Sequence, residues 1–533
     1  MTAASPETQS AAKNSKFAWW CFIALAGMAI PFYLFLGRKQ WFSFDEWDFI
    51  AGRNAGHLGD LLRPHTDAHW STLPILAWRA IWQVAGLRYW PYQTLSVLLH
   101  VTIAALLRVV MRRSGVAPWT ATIMASLFLF LGAGAYDIIY AFQANFDAAV
   151  LFGLTQLLLA DHGGPIDRRD ALALVAGLAA LMCSAPAVVF VAVVGVATLV
   201  RRGLKPAAVQ TLPLAVVFGA WWLHYSRSGT HFDWSASNTG NFVVNGTRQA
   251  LGAFAHIPAG GWLIAAVLVV GAIALFAGRS ARSRRTDLAA PLAMLLGVPM
   301  LFLLTSFGRI SFVVASTDAN HYLHVGAALA LPAVAVSVDA IGRRRRTATP
   351  VLLVLLIAGV PGSIAKAVDF AHAAGKWGVT KDTILSIGRM PEARQAPRSL
   401  PPDPSFAPEV TVGWILDGVA SGRIRARDPG STVAATNRLR LSLRETSRAV
   451  GRPCAELKKP VVRHLARGDT VGIHGGSVLV RAAPQSAPLG PPVLYGRSFL
   501  SPALDHTIES VVDSLTVRIE PGAHVPRQAV SIC

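Results

Sequence analysis

Residues 171–202 read ALALVAGLAALMCSAPAVVFVAVVGVATLVRR, two apolar runs that meet at Ser184-Ala185-Pro186. How this stretch is read sets the orientation of everything after it. As one kinked helix it is a single membrane span; as two helices joined by a tight turn it is two. Charge decides between them, because Lys and Arg concentrate on the cytoplasmic side of a membrane protein. Basic clusters stand at Lys13 and Lys16, at Arg108, Arg112 and Arg113, and at Arg168 and Arg169. Others stand at Arg201, Arg202 and Lys205, at Arg279, Arg282, Arg284 and Arg285, and at Arg343 to Arg346. With two helices in 171–200, all of them fall on one side. With one, the clusters after it change sides. The two-helix reading predicts a cytoplasmic N-terminus and an outer C-terminal part.

Working outward, apolar runs place spans near 18–36, 91–110, 119–135, 145–160, 171–184, 186–200, 207–224, 259–278, 288–305, 322–341 and 349–366. The expected class is a polytopic α-helical membrane protein of about eleven transmembrane helices. The chain has 533 residues, of which 53% are hydrophobic and only 15% charged. That is too little charged surface for a soluble protein of this size. The net charge of +20 comes from 49 Lys and Arg against 29 Asp and Glu. Because much of the excess sits in short loops, it reads as a topology signal beside a lipid bilayer and argues against nucleic acid as a partner. The first apolar run lacks a small-residue cleavage site and reads as a retained helix.

The outer side then holds a long first loop, residues 37–90. It opens on Trp41-Phe42-Ser43-Phe44-Asp45-Glu46-Trp47-Asp48-Phe49, three acids set among aromatics. Ser43 or Asp45 is a candidate N-cap for a helix through Trp47 to Ile50. Asp45 and Glu46, being adjacent, point in different directions, so one is expected to face a cavity while the other holds the loop or a metal. Acids beside a membrane cavity are costly unless used. Further along, His65 and His69 are four apart, the spacing of one helical face, and serve as proton carriers or phosphate donors. There is no His-Glu-x-x-His pattern, and a metal stays unassigned. Residues 73–82, with Trp78 and Trp82 around Arg79, read as a helix lying in the membrane interface.

Other outer segments add Arg88 and Tyr89, then Tyr136 to Asn145 with Asp137 and Gln143, then Gly308-Arg309 and Asp318-Ala319-Asn320-His321-Tyr322. Arg309 and Arg88 are phosphate candidates. Trp41, Trp47 and Trp70 are stacking candidates for a sugar ring, and equally ordinary rim anchors.

Residues 367–408 are proline-rich and read as a linker or extended wrap. Residues 409–533 are expected to be a mostly-β extracytoplasmic domain. Arg438 to Arg444, Thr470 to His474, Ser477 to Arg481 and Leu515 to Glu520 alternate with a period of two, the strand signature. Gly475-Gly476 reads as a hairpin turn and Leu457 to Leu465 as a short helix or turn. Cys454 and Cys533 are a candidate disulfide in an oxidising compartment. Cys21 and Cys183 sit in apolar spans as packing residues.

This arrangement resembles the GT-C superfamily of integral-membrane glycosyltransferases, which use polyprenyl-phosphate sugars. The likeness rests on one helix leading into a long outer loop, on the acidic pair Asp45-Glu46 with an interfacial helix after it, and on many helices followed by an outer domain. It extends to uncharacterised bacterial membrane proteins through Phe44-Asp45-Glu46-Trp47, His69-Trp70 and the Gly308-Arg309 to His321-Tyr322 stretch. The chain is distantly similar to mycobacterial wall arabinosyltransferases and to protein mannosyltransferases.

The resemblance implies Asp45 as general base and Glu46 as a supporting or acceptor-positioning acid. Arg309, Arg88, His69 and His321 would bind the donor phosphate. Trp47, Trp70, His65, Tyr322, Gln143 and Asp137 would meet the acceptor or sugar. Relatives often carry an arginine before a tyrosine in the later outer loop, where this chain has Asn320-His321-Tyr322, which shifts weight to Arg309. Some relatives use a divalent cation, Mg or Mn, and others none; no cofactor is certain here. The expected reaction is inverting transfer of a sugar from a polyprenyl-phosphate donor to a cell-envelope glycan or lipid. Richness in alanine, glycine and arginine points to a bacterial plasma membrane. Two alternatives stand beside the transferase: a transporter or flippase for a lipid-linked glycan, and a non-catalytic envelope glycan-binding or assembly protein.

Overall fold

The computed structural model describes residues 6–533 apart from 66–68, 226–235, 256, 258, 277–280, 314–319, 405, 447–453, 475–476, 484–488, 490–492, 497–504 and 522–530. Contacts divide the chain into two units. One comprises residues 1–40, 55–77 and 90–375; the other comprises 41–54, 78–89 and 376–533.

The first unit is helical. Its main helices are α1 (Pro6–Leu36), α2 (Thr72–Ala85, divided between the units after Ala77), α3 (Trp90–Arg113), α4 (Pro118–Leu129), α5 (Ala135–Ile139), α6 (Ala144–Ala160), α7 (Arg168–Leu181) and α8 (Ala187–Arg202). They continue as α9 (Leu204–Tyr225), α10 (Ala236–Gly252), α11 (Gly260–Phe276), α12 (Ala281–Val313), α13 (Asn320–Arg344), α14 (Ala348–Ile357) and α15 (Val360–Ala374). Among the described residues, seven helical segments are long and apolar enough to cross a membrane: 13–39, 90–113, 141–160, 204–225, 287–307, 321–344 and 348–374. The segment over α4 and α5 makes an eighth if its two parts, Pro118–Leu129 and Gly132–Ile139, bent by 43° at the break between them, count as one span.

Each expected span falls on helical residues, but 119–135 runs across the break between α4 and α5, and 349–366 covers two helices, α14 and part of α15. Residues 171–200 are two helices, α7 and α8, with a turn between them in which the Ala187 amide donates to the Ser184 carbonyl at 3.1 Å. Helix α10 lies in a segment read as loop; its many asparagines and threonines hide the apolar residues Phe242, Ala250 and Leu251, which are buried.

The basic loops are tied to one another at one end of this unit. Trp119 donates to the Asn14 side chain at 2.7 Å, and the Ala117 amide donates to Asp339, which also accepts from Arg343. Arg113 donates to the Leu158 carbonyl at 2.5 Å, and Arg344 to the Ala274 carbonyl at 2.9 Å. Arg201 pairs with Asp161 at 2.6 Å, and Arg202 grips Asp170 with two hydrogen bonds of 2.6 and 3.0 Å. The N-terminal part of α1, the loops after α3, α6 and α8, and the C-terminal parts of α11 and α13 are thus joined in a chain of contacts. Two-toothed arginine–carboxylate pairs are the strong form of such links, and Arg202 and Asp170 are both nearly inaccessible to solvent.

The second unit carries two antiparallel sheets. Strands β1 (Leu443–Thr446), β7 (Asp505–Ser510), β4 (Thr470–His474), β9 (Ser531–Ile532) and β2 (Ala455–Glu456) form one, in that order. Strands β3 (Val461–Leu465), β8 (Leu515–Pro521), β5 (Ser477–Ala483) and β6 (Val493–Gly496) form the other. Val471, Ile473 and Ile508 of the first sheet share a core with Val478, Val480, Val517 and Ile519 of the second, as in a sandwich.

Several expectations change here. Residues 438–442 are the end of a helix, α18 (Ser431–Ser442), which follows α16 (Lys381–Ile387) and α17 (Val412–Ala420). Leu439 joins the sheet core, and Asn437 on the same helix donates to the Thr383 carbonyl and the Ser386 hydroxyl of α16. A helix buried on opposite sides loses its one-sided stripe, and alternating leucines then mimic a strand. Residues 461–465 form β3, not a helix. Gly475-Gly476 lies outside the described residues, and the strands on either side belong to different sheets, so no hairpin joins them. The proline-rich stretch is not a loose linker: α15 runs to Ala374, and Ala393, Leu400, Ala407 and Val410 are buried. Asp403 there is buried and paired with Arg440 at 2.7 Å; burial pushes its carboxyl up, with Arg440 pulling against it.

Cys454 and Cys533 form a disulfide that pins the chain end beside β2 and β9, closing a separation of 79 residues. Replacing both by serine in the full chain should cost about 2–5 kcal/mol of stability in the second unit. Thermal unfolding of wild type with and without reductant, against the double variant, checks this. The expected outcome is that reductant lowers the wild-type midpoint and leaves the variant unmoved.

Candidate functional site

The acidic stretch after α1 belongs to the second unit, where aromatic packing holds it. Trp47 is fully buried, with ring centroids 5.4 Å from both Trp41 and Phe42 and 6.3 Å from Trp414. Trp82 stacks on Trp414 at 4.8 Å, and Trp78 lies against Phe42 and Phe49 at 6.3 and 6.0 Å. These tryptophans are core residues. Trp47 is therefore not placed to stack on a sugar, and Trp78 and Trp82 are buried in protein. Large rings bury the most area per residue, which explains why the loop folds around them.

Within that frame the two adjacent acids separate. Glu46 is fully buried; its carboxylate accepts the Ser43 amide at 2.8 Å and the Tyr89 hydroxyl at 3.0 Å. It reaches back to hold the turn, and the helical turn Asp48–Gly52 begins after Trp47, which makes no side-chain cap. Asp45 is exposed. Just before it, Phe44 has φ of +49°, the one non-glycine residue in the left-handed region among the described residues. For a bulky residue that conformation is disfavoured and persists only where its surroundings impose it. Here the Phe44 ring lies 5.8 Å from Phe406. After the acids, Asp48 and Arg53 form a two-toothed ion pair of 2.7 to 3.0 Å that closes the turn Asp48–Gly52. Arg88 is exposed beyond α2.

In the first unit, the end away from the basic loops gathers histidines and aromatics. His65 and His69 face each other across a β-bridge, with amide-to-carbonyl hydrogen bonds of 2.9 and 3.3 Å. They do not share a helical face. Pro64 disfavours helix at the residue before it, and Arg63 is extended (ψ 131°). Ring contacts then run from His65 to Phe142 (5.0 Å), Phe142 to Tyr140 (6.0 Å), Tyr140 to Tyr136 (5.4 Å) and Tyr136 to His321 (5.5 Å). They continue from His321 to Phe146 (5.2 Å) and from Phe146 to His69 (5.6 Å), closing a circuit. His69, Tyr136 and His321 are partly exposed; the other rings are buried.

The His69 Nδ1 lies 2.8 Å from the Ser184 hydroxyl and 3.4 Å from the Ala185 amide. An amide N–H only donates, so Nδ1 accepts and the neutral ring carries its proton on Nε2. The turn between α7 and α8 thus sets the tautomer of His69. Trp70 stacks on Trp221 at 5.2 Å and donates to Thr72 at 2.7 Å, and Tyr322 packs on Phe146. Both are nearly buried, as is Gln143.

Asp137 lies beneath this circuit, wholly buried. Beside it are Asp147 and His324, also wholly buried, which the sequence reading did not single out. The side chain of Arg309 lies outside the described residues, as does Asp318. His324 had one legible signal: it stands one helical turn beyond His321 in an otherwise apolar helix.

The chain matches no protein-family model, no curated protein and no solved structure.

Removing Glu46 leaves a buried amide and a buried hydroxyl without an acceptor. Glu46→Ala should therefore destabilise the second unit by about 2–4 kcal/mol, and Tyr89→Phe by about 1 kcal/mol. Asp45→Asn, at an exposed position, should shift stability by less than about 0.5 kcal/mol. Thermal unfolding of the purified variants in one detergent gives the ranking, and equal losses for Asp45 and Glu46 would contradict the division of roles.

Proposed function

We propose that this protein is a membrane glycosyltransferase that moves a sugar, with inversion, from a polyprenyl-phosphate donor to a cell-envelope glycan or lipid at the outer face of a bacterial plasma membrane. On this reading the chain has eleven spans of GT-C type, the basic loops are cytoplasmic, and the second unit is extracytoplasmic. The contacts that join the basic loops at one end support that orientation.

The observation that carries the reading is the separation of Asp45 from Glu46. One carboxylate is locked into the loop and fully buried. Its neighbour is held exposed on a rigid turn behind a left-handed phenylalanine. A general base needs this combination of fixed position and access. Asp45 takes the proton of an acceptor hydroxyl, whose oxygen bonds to the anomeric carbon. The bond from that carbon to the phosphate oxygen breaks, and polyprenyl phosphate leaves as an anion. One displacement inverts the centre, and the leaving phosphate needs cationic or hydrogen-bonding support more than a strong acid. The family resemblance assigns that support to Arg309, Arg88, His69 and His321.

A transporter for a lipid-linked glycan is the second reading. It is favoured by the broken α4–α5 segment and by the ionisable groups buried beside it.

Purified protein in lipid nanodiscs, given a panel of polyprenyl-phosphate sugars and envelope acceptors, separates the two. The transferase reading expects sugar transfer that falls about 100- to 10,000-fold in Asp45→Asn at unchanged unfolding temperature. Full transfer by Asp45→Asn rejects the assigned base. Movement of labelled lipid-linked glycan across vesicles without transfer chemistry establishes the transporter.

A further inference from the structure

Asp137 of α5, Asp147 in the first turn of α6 and His324 of α13 converge inside the helical unit, all with no exposed surface. Each offers one atom, and the three atoms lie within 4.8 Å of one another. The His324 Nδ1 is 3.3 Å from Asp147 and 3.9 Å from Asp137. Neither carboxylate receives a hydrogen bond from another residue, and no hydrogen bond engages the His324 Nδ1. Two carboxylates and an imidazole nitrogen are thus aimed at one point in an apolar interior, where uncompensated charge is very costly.

A chain of hydrogen bonds sets which face His324 presents. The His100 Nε2 lies 3.1 Å from the Leu129 carbonyl, which only accepts, so this nitrogen carries a proton. In the neutral ring the His100 Nδ1 is then a lone pair, 3.0 Å from the His324 Nε2, which must donate to it. The His324 Nδ1 is left as a lone pair pointing at Asp137 and Asp147. A histidine that ligates a metal characteristically donates its other ring N–H to a fixed acceptor, which sets the tautomer and orientation. The Phe128 ring lies 4.9 Å from His324, and Gly134 admits the imidazole: a Cβ there would sit 2.6 Å from its Cδ2.

We propose that Asp137, Asp147 and His324 bind one divalent cation of the Zn²⁺ class, positioned by His100. A single proton bridges two atoms, whereas five polar atoms meet here without donors. A dication neutralises both carboxylates and engages the nitrogen at once. Tetrahedral Zn²⁺ with bonds of about 2.0–2.2 Å sets its ligands roughly 3.4 Å apart; the His324 separations of 3.3 and 3.9 Å are close to that, and all three atoms lie within 4.8 Å of one another, so small side-chain movements complete the site. One nitrogen and two oxygens suit Zn²⁺ better than Mg²⁺, which prefers all-oxygen shells that keep water. The ion pins the short helix α5, beyond the break, to α6 and α13. This inference does not rest on the transferase reading.

The test uses the full chain in nanodiscs, purified without chelator and analysed for metal by mass spectrometry. About one Zn²⁺ per chain is expected to survive gel filtration. Chelator-stripped protein titrated with Co²⁺ should show the visible bands of tetrahedral cobalt, saturating at one equivalent. His324→Ala and Asp147→Asn should each reduce bound metal at least tenfold, while His321→Ala, one turn away, keeps it. His100→Ala should retain the site with affinity weakened about 10- to 100-fold. Wild type that holds no metal and gives no cobalt bands overturns the proposal, because protons then balance the carboxylates. So does metal that persists unchanged in well-folded His324→Ala and Asp147→Asn. If those variants do not fold, the wild-type cobalt titration decides alone.

Discussion

A charge taken out of water must meet its compensation close by, and in an apolar helical assembly water is not there to supply it. This constraint organises the first unit. At one end, Asp161 and Asp170 each take an arginine from α8, and Asp339 takes Arg343 of its own helix and the Ala117 amide of the loop after α3, so these acids tie the segments together. Elsewhere in the unit, Asp137, Asp147 and His324 have no arginine beside them among the described residues, and the cation proposed above would supply their compensation. The same rule explains Glu46 in the second unit. A wholly buried carboxylate is tolerable there because an amide and a phenol hydroxyl both donate to it, and by holding the turn it fixes where Asp45 stands.

Much of this was legible in the chain itself, for physical reasons that differ from element to element. Ser184-Ala185-Pro186 ends one apolar run and begins another, and the basic clusters could agree only if a turn lay there; a turn is what stands between α7 and α8. Leu515 to Glu520 alternates because one face of β8 meets the sandwich core. The separation of Asp45 from Glu46 follows from adjacency alone, since neighbouring side chains on a tight turn cannot share a direction. Which acid would be buried did not follow, because Tyr89 comes from a part of the loop far along the chain.

What was hidden shares one cause: partners distant in sequence. Asp137, Asp147 and His324 look like isolated polar residues in three separate segments, and only folding brings them together. Trp47 reads as a rim anchor or a sugar platform until Trp414 covers it. Arg438 to Ser442 alternates like a strand, but the helix α18 buries two sides. His65 and His69 have helical spacing, yet their backbones pair with each other across a β-bridge. In each case local pattern lost to a contact that pattern cannot encode.

The account turns on Asp45 standing in water on the outer side, at the polyprenyl-phosphate site. Its most direct test is labelling of Asp45→Cys, in a chain with Cys21 and Cys183 replaced by alanine, by a membrane-impermeant maleimide on intact spheroplasts. The account predicts labelling without permeabilisation, slowed by added polyprenyl phosphate. Labelling that requires permeabilised cells would place residue 45 on the cytoplasmic side and contradict it.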